Sequence, residues 1–225
     1  MIPLKDSTRS QKFPYVNIIL IIITIAVFIY QLDLGQKEQA ELFFIYGVIP
    51  RKFLFLLQTP WKTELWIPLF SSIFLHGGWF HLLGNMLYLW VFGDNVEGKI
   101  GHFPYLLFYL AAGAAGGLFH ILLNLQSTIP TIGASGAIAG ILGAYLILVP
   151  RSRVLTLIPI GFFLTTVEVP GTMFLFLWFF LQVVNAFVLI SPGAQAVAWG
   201  AHIGGFIFGL IIGIVARIRK KTYLL

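Results

Sequence analysis

Long uncharged runs alternate along the chain with short charged or polar breaks. Phe13 to Leu32 carries no charge between Lys12 and Asp33, and Leu65 to Gly93 carries none either. Ile100 to Pro150 is too long for one helix and is divided by the polar segment Asn124 to Thr131. Val169 to Ala216 is divided in the same way at Ser191-Pro192-Gly193. A helix crosses the hydrocarbon core of a bilayer with about 20 apolar residues. The pattern predicts an all-α membrane protein with six spans, near residues 13–32, 72–93, 103–123, 133–150, 172–190 and 197–216. These form one membrane domain, residues 13–217, between an N-terminal tail, 1–12, and a basic C-terminal tail, 218–225.

Two apolar stretches fit no span. Val154 to Val167 is only 14 residues long and is interrupted by Pro159 and Gly161, as expected of an interfacial or re-entrant piece. The loop Gln36 to Glu64 contains Leu42 to Ile49 and Phe53 to Leu57, both too short to cross. One or two helices lying in the interface are expected there, with Trp61 and Trp66 at headgroup level.

Composition agrees with burial in lipid. Apolar residues make up 59% of the 225 and charged residues 10%, with a mean hydropathy of +0.93. Soluble domains have about 45–50% and about 25%. The net charge of +6 does not argue for nucleic acid, because basic residues of a membrane chain cluster on the cytoplasmic side. With the N-terminus inside, four of the 14 basic residues (Lys37, Arg51, Lys52, Lys62) fall in one outside loop and the rest are cytoplasmic. The 14 residues from Val154 therefore do not cross, since a seventh span would put the basic C-terminal cluster outside. The small-residue cleavage site of a signal peptide does not follow Tyr30, so the first segment is read as a retained helix. Cysteine is absent, which removes disulfides, thiolate metal sites and a cysteine nucleophile.

Polar residues within spans are functional candidates by default. Four stand out: His81, Asn85, Ser135 and His202. Ser135 sits in Gly133-Ala-Ser-Gly136 at the start of the fourth span, where the first helical turn has free N–H groups and a partial positive charge. Both features suit an oxyanion forming beside the hydroxyl. Ser135 lies 16 residues before Arg151 and His202 lies 15 before Arg217, which puts both about 22–24 Å above the cytoplasmic charges. Gly136, Gly140 and Ala144 follow Ser135, and Gly205, Gly209 and Gly213 follow His202. Such small-residue faces let membrane helices pack backbone to backbone. Packing of this kind is generic, but here it would bring a hydroxyl to an imidazole, the minimum for nucleophilic acyl chemistry. No carboxylate lies at that depth, so a dyad is expected rather than a triad. His81 and Asn85, one turn apart, are candidate oxyanion donors together with the Ser135 N–H. For Asn85 an ordinary interhelical hydrogen bond is the alternative.

These residues resemble the rhomboid family of intramembrane serine proteases. The resemblance rests on Gly133-Ala-Ser-Gly136, on Ala201-His-Ile-Gly-Gly205 and on His81-Leu-Leu-Gly-Asn85. Phe74 to Trp79 and Tyr88 to Glu97 look like its bacterial members. It covers about Ala40 to Ala216 and implies a six-helix bundle with a half-embedded first outside loop and a cavity open to the outside. It also implies membrane-anchored protein substrates within a lipid bilayer, residence in a bacterial plasma membrane, and a fifth helix acting as a lateral gate. Trp178, Phe179 and Phe180 are candidates for that gate, or are simply lipid-facing aromatics. Two departures are visible. Trp66 is followed by Ile67-Pro68 where many members have Arg, and Ala139 stands where some members stack a Tyr on the base, leaving the orienter of His202 unassigned.

No cofactor and no metal are expected, since no carboxylate cluster or His spacing suggests one. His76 is expected to cap or orient the second helix, His102 to be interfacial and His120 to lie near the outer end of the third helix. The alternatives to proteolysis are a catalytically silent relative that binds transmembrane helices and a haem or ion carrier using His81, His120 and His202.

Overall fold

The computed structural model describes all residues except 9, 11, 56–58, 60, 63, 65, 161–162, 188–197 and 223–225. The divider at Ser191-Pro192-Gly193 thus lies outside the described residues, as do the last residues of the C-terminal tail. Most of the described chain is helical, and its elements are limited by visible chemistry. Helix α1 spans Tyr15–Leu32, and α2, Gln36–Tyr46, starts where the Glu38 carboxylate accepts the Gly35 N–H. Short helices α3, Pro50–Phe53, and α4, Pro68–Ser71, each carry proline in the first turn, where no N–H is needed. Helix α5, Trp79–Ile100, begins after Gly77-Gly78, later than the residue 72 expected, because Ser72–Phe74 form a separate 3-10 turn. It ends at Gly101, whose φ of +92° suits glycine, and α6 follows at once as His102–Leu123. Helices α7, Ser135–Leu148, α8, Gly171–Phe187, and α9, Trp199–Thr222, complete the helical part. Among the described residues three helices are long and apolar enough to cross a membrane: Tyr15–Leu32, His102–Leu123 and Trp199–Arg219. Ser135–Leu148 and Gly171–Ala186 are shorter and also apolar.

A small sheet accompanies the helical membrane fold. Residues Ile2–Asp6, Arg153–Ile160 and Phe163–Pro170 form strands β1, β2 and β3 of an antiparallel sheet in the order β1-β2-β3. The apolar stretch from Val154, read as an interfacial or re-entrant piece, lies in paired strands and not in a helix, and the N-terminal tail supplies a third strand. The segment is rich in Val, Ile, Thr and Phe, which favour extended structure. Val154 and Thr156 are buried while the neighbouring Arg153 and Leu155 are not, the alternation of a half-buried strand. Pro159 is tolerated in the middle strand because β1 reaches only as far as Leu157.

Polar groups tie the sheet end of the bundle together. Asp6 is buried and accepts hydrogen bonds from the Asn95 amide at 2.9 Å and from the Tyr145 hydroxyl. Burial raises its carboxyl above the usual value, and the Tyr145 bond opposes that. Glu97, fully buried, accepts the Val16 and Asn17 N–H groups at 3.0 and 2.8 Å and so caps α1. It also meets His102. Glu97→Gln leaves one of those two N–H groups without an acceptor and should cost about 1–2 kcal/mol. Thermal unfolding in detergent should show a midpoint several degrees lower, and an unchanged midpoint would remove the capping role.

Helices α6, α7 and α9 meet through glycine. A methyl group at Gly205 would lie 2.0 Å from the Gly136 carbonyl oxygen, and one at Gly209 would lie 1.9 Å from that of Gly140. A methyl at Gly140 would lie 2.4 Å from Ala112 Cβ. No side chain fits at these positions without moving a backbone, so α7 and α9 are in direct main-chain contact.

Candidate active site

A cavity of about 780 Å³ opens between α5, α7, α8 and α9. Its wall includes His81, Asn85, Ser135, Trp178 and His202. Ser135 is the first residue of α7, so its N–H and that of Gly136 belong to the turn without intrahelical acceptors. His202 lies in the first turn of α9. The chain neighbours of the two residues touch: a methyl at Gly136 would lie 3.6 Å from Ala201 Cβ. The glycine contacts that join α7 to α9 therefore also bring the hydroxyl and the imidazole to one cavity.

His81 and Asn85 approach the loop before Ser135. Gly133 has a φ of +123°, and a methyl there would lie 2.6 Å from His81 Nε2 and 3.7 Å from Asn85 Nδ2. Glycine is needed on both counts. The Gly77 N–H points to His81 Nδ1 at 3.5 Å, which assigns the proton of the neutral ring to Nε2, the nitrogen against Gly133.

Two residues of the site were not recognised as such in the sequence. His76 is buried, and its Nε2 accepts from Asn85 Nδ2 at 2.9 Å, while its Nδ1–H faces the Phe74 carbonyl at 3.4 Å. Its backbone is held by Gln31 of α1, which donates to the His76 carbonyl at 2.7 Å and accepts the His76 N–H at 3.1 Å. Gln182 of α8 answers what orients His202. His202 Nδ1–H donates to Gln182 Oε1 at 2.7 Å, and Gln182 Nε2 donates to the Trp178 carbonyl at 3.0 Å. The amide is thus fixed with its oxygen toward the imidazole, and His202 Nε2 keeps a free lone pair. Trp178 and Trp199 pack on the His202 ring at centroid distances of 5.9 and 5.7 Å. The sequence signal for Gln182 was present, since it is an amide in an apolar helix.

The remaining candidates separate. Trp178 lines the cavity, whereas Phe179 stacks on Phe206 at 4.4 Å and Phe180 is exposed. His120 pairs with Asn124 and is not part of the cavity wall. Among the described residues no group of His, Asp and Glu side chains is arranged to hold a metal.

The Rhomboid domain family matches residues 62–219. The chain belongs to the rhomboid family. It is 35% identical over 160 residues to RHOMBOID-like protein 1 of Arabidopsis thaliana, covering 71% of this chain and 36% of that protein. It is 32% identical over 167 residues to Rhomboid protein 1, mitochondrial, of Saccharomyces cerevisiae, covering 70% of this chain and 44% of that one. It is 43% identical over 96 residues to Rhomboid protease GluP of Bacillus subtilis, covering 43% and 18%. This rhomboid thus spans less than half the length of these relatives. It is an integral membrane protein, and its family includes serine intramembrane proteases.

Proposed function

We propose that this rhomboid is an intramembrane serine endopeptidase that cleaves membrane-anchored proteins in or next to a transmembrane helix. The observation that carries the reading is the shared cavity of Ser135, His202, His81 and Asn85, assembled where α7 and α9 touch. Ser135 Oγ attacks the scissile carbonyl carbon, and His202 Nε2 takes the hydroxyl proton and returns it to the leaving amine. The oxyanion is met by the His81 Nε2–H, the second Asn85 N–H and the Ser135 N–H. Water then enters the cavity and hydrolyses the acyl-enzyme, with His202 again as base.

Six spans, with α1, α5, α6, α7, α8 and α9 as their helices, fit the charge pattern, and the loop Gln36 to Glu64 is the half-embedded first loop. Both termini are cytoplasmic and the cavity opens to the outside. Bacterial-type motifs favour a bacterial plasma membrane. Substrate helices enter between α5 and α8, where Tyr88 faces Phe174 and Trp178 at 6.4 and 6.5 Å.

The test is covalent labelling of the detergent-purified protein with a fluorophosphonate, followed by mass mapping of the adduct. A single adduct on Ser135 is expected. An adduct on another serine would overturn the assignment of Ser135, and an unlabelled protein would overturn the reading and favour a silent helix-binding relative.

A further inference from the structure

The base and its orienter stand on helices that are held in different ways. Helix α9, which carries His202, is in main-chain contact with α7 through Gly136, Gly140, Gly205 and Gly209. Helix α8, which carries Gln182, has no glycine after Gly171 and so cannot approach a neighbour in that way. Its contacts are made by side chains: Phe174 stacks on Phe92 at 6.0 Å, Trp178 packs on Phe206 at 6.2 Å, and Phe179 stacks on Phe206 at 4.4 Å. Aromatic contacts of this kind slide, whereas interlocked backbones do not. A hydrogen bond of 2.7 Å is lost once its atoms part by about 1 Å. Without Gln182 no hydrogen bond fixes the angle of the imidazole about its Cβ–Cγ bond or its tautomer. No other polar contact of the His202 ring is seen among the described residues.

We propose that Gln182 makes His202 competent only while α8 is docked, so that the helix admitting substrate also holds the base in register. This rests on the proteolytic reading above and adds a regulation to it. Displacement of α8 opens the cavity and releases the base together, and catalysis follows redocking on the bound substrate. An enzyme standing open would then have an unaligned dyad and spare passing helices. Gln182 is a positioning residue, acting through His202 and not on the substrate.

The test compares fluorophosphonate labelling rates, and kcat and KM for a transmembrane substrate in proteoliposomes, among variants of the whole chain. Gln182→Leu and Gln182→Met remove the acceptor but keep the volume. Each should slow labelling and lower kcat about 10- to 100-fold, less than the ~10⁴ lost on disabling a carboxylate partner, because an amide orients without charge. KM should stay within about threefold, as for a group acting in the transition state. Gln182→Glu keeps an acceptor oxygen in place in either protonation state and should restore both rates to within about threefold of the parent chain, a rescue that a packing role would not require. Phe179→Ala loosens α8 without touching the dyad. It should slow labelling several-fold in the parent chain and have no further effect beside Gln182→Leu, a coupling that a purely steric gate does not produce. Labelling of both apolar variants at the parent rate, or equal effects of Phe179→Ala in the two backgrounds, would overturn the proposal. The two readings fail separately. A parent chain that does not label at Ser135 refutes the protease, whereas a labelling parent with indifferent Gln182 variants refutes only the coupling.

Discussion

Ser135→Ala and His202→Ala are each expected to lower substrate cleavage by at least about 1,000-fold, and the double variant to be no worse than either single one. In the proposed mechanism nucleophile and base act as a unit: without the imidazole the hydroxyl keeps its proton, and without the hydroxyl the imidazole has nothing to activate. Any residual rate would come from the oxyanion donors and from substrate positioning, both of which survive these changes. The measurement is release of product from a transmembrane substrate in proteoliposomes, with binding of the same substrate followed in parallel. Retained binding with lost cleavage is expected. Cleavage within about tenfold of the parent in His202→Ala would remove His202 from the mechanism. Loss of binding and cleavage together would point to a structural role for the altered residue.

The candidate pair Ser135 and His202 is legible because lipid makes polar residues conspicuous. Within long uncharged runs, a serine among glycines and a histidine before a four-residue glycine repeat are few enough to be paired by counting residues down to the basic ends. The glycines that marked those helices are the atoms that touch: Gly205 against Gly136, and Gly209 against Gly140. What remained hidden was whatever depends on one side chain reaching across the bundle. Gln182 is 20 residues from His202 in the chain, and nothing in that spacing says that its amide oxygen faces the ring. His76 was read as part of a helix end, whereas it bridges Gln31 of α1 to Asn85 of α5. Nor does the sequence show that Glu97 is fully buried as the cap of α1, 80 residues away. The sheet escaped for a different reason. Leu155, Leu157, Phe163 and Leu164 make both faces of the hairpin apolar, so the period of two that marks a strand is faint in the sequence and shows only in burial.

Asn85→Ala should lower kcat by roughly 10²–10³-fold, the effect of deleting one preorganised oxyanion donor, about 2.7–4 kcal/mol of transition-state stabilisation. The expectation follows from how the amide is held. One N–H is spent on His76 Nε2 at 2.9 Å, which fixes the plane of the amide and leaves the other N–H for the cavity beside Gly133. A donor that is already oriented needs no reorganisation when the carbonyl oxygen gains charge. KM should then change little, because the ground-state carbonyl makes a weaker demand on the same N–H. His76→Ala should act in the same direction but more weakly, since it frees the Asn85 amide to rotate without removing it. Combined with Asn85→Ala it should add almost nothing, because its effect on the rate runs through that amide. If Asn85→Ala instead lowers the unfolding midpoint while leaving kcat intact, Asn85 is an interhelical tie and the oxyanion rests on His81 and the start of α7. A risen KM with unchanged kcat would make it a ground-state contact to substrate. Only a fall in kcat carried almost wholly by the Asn85 amide, with His76 silent in its absence, fits the arrangement in which α1, through Gln31 and His76, aims a donor into the cavity.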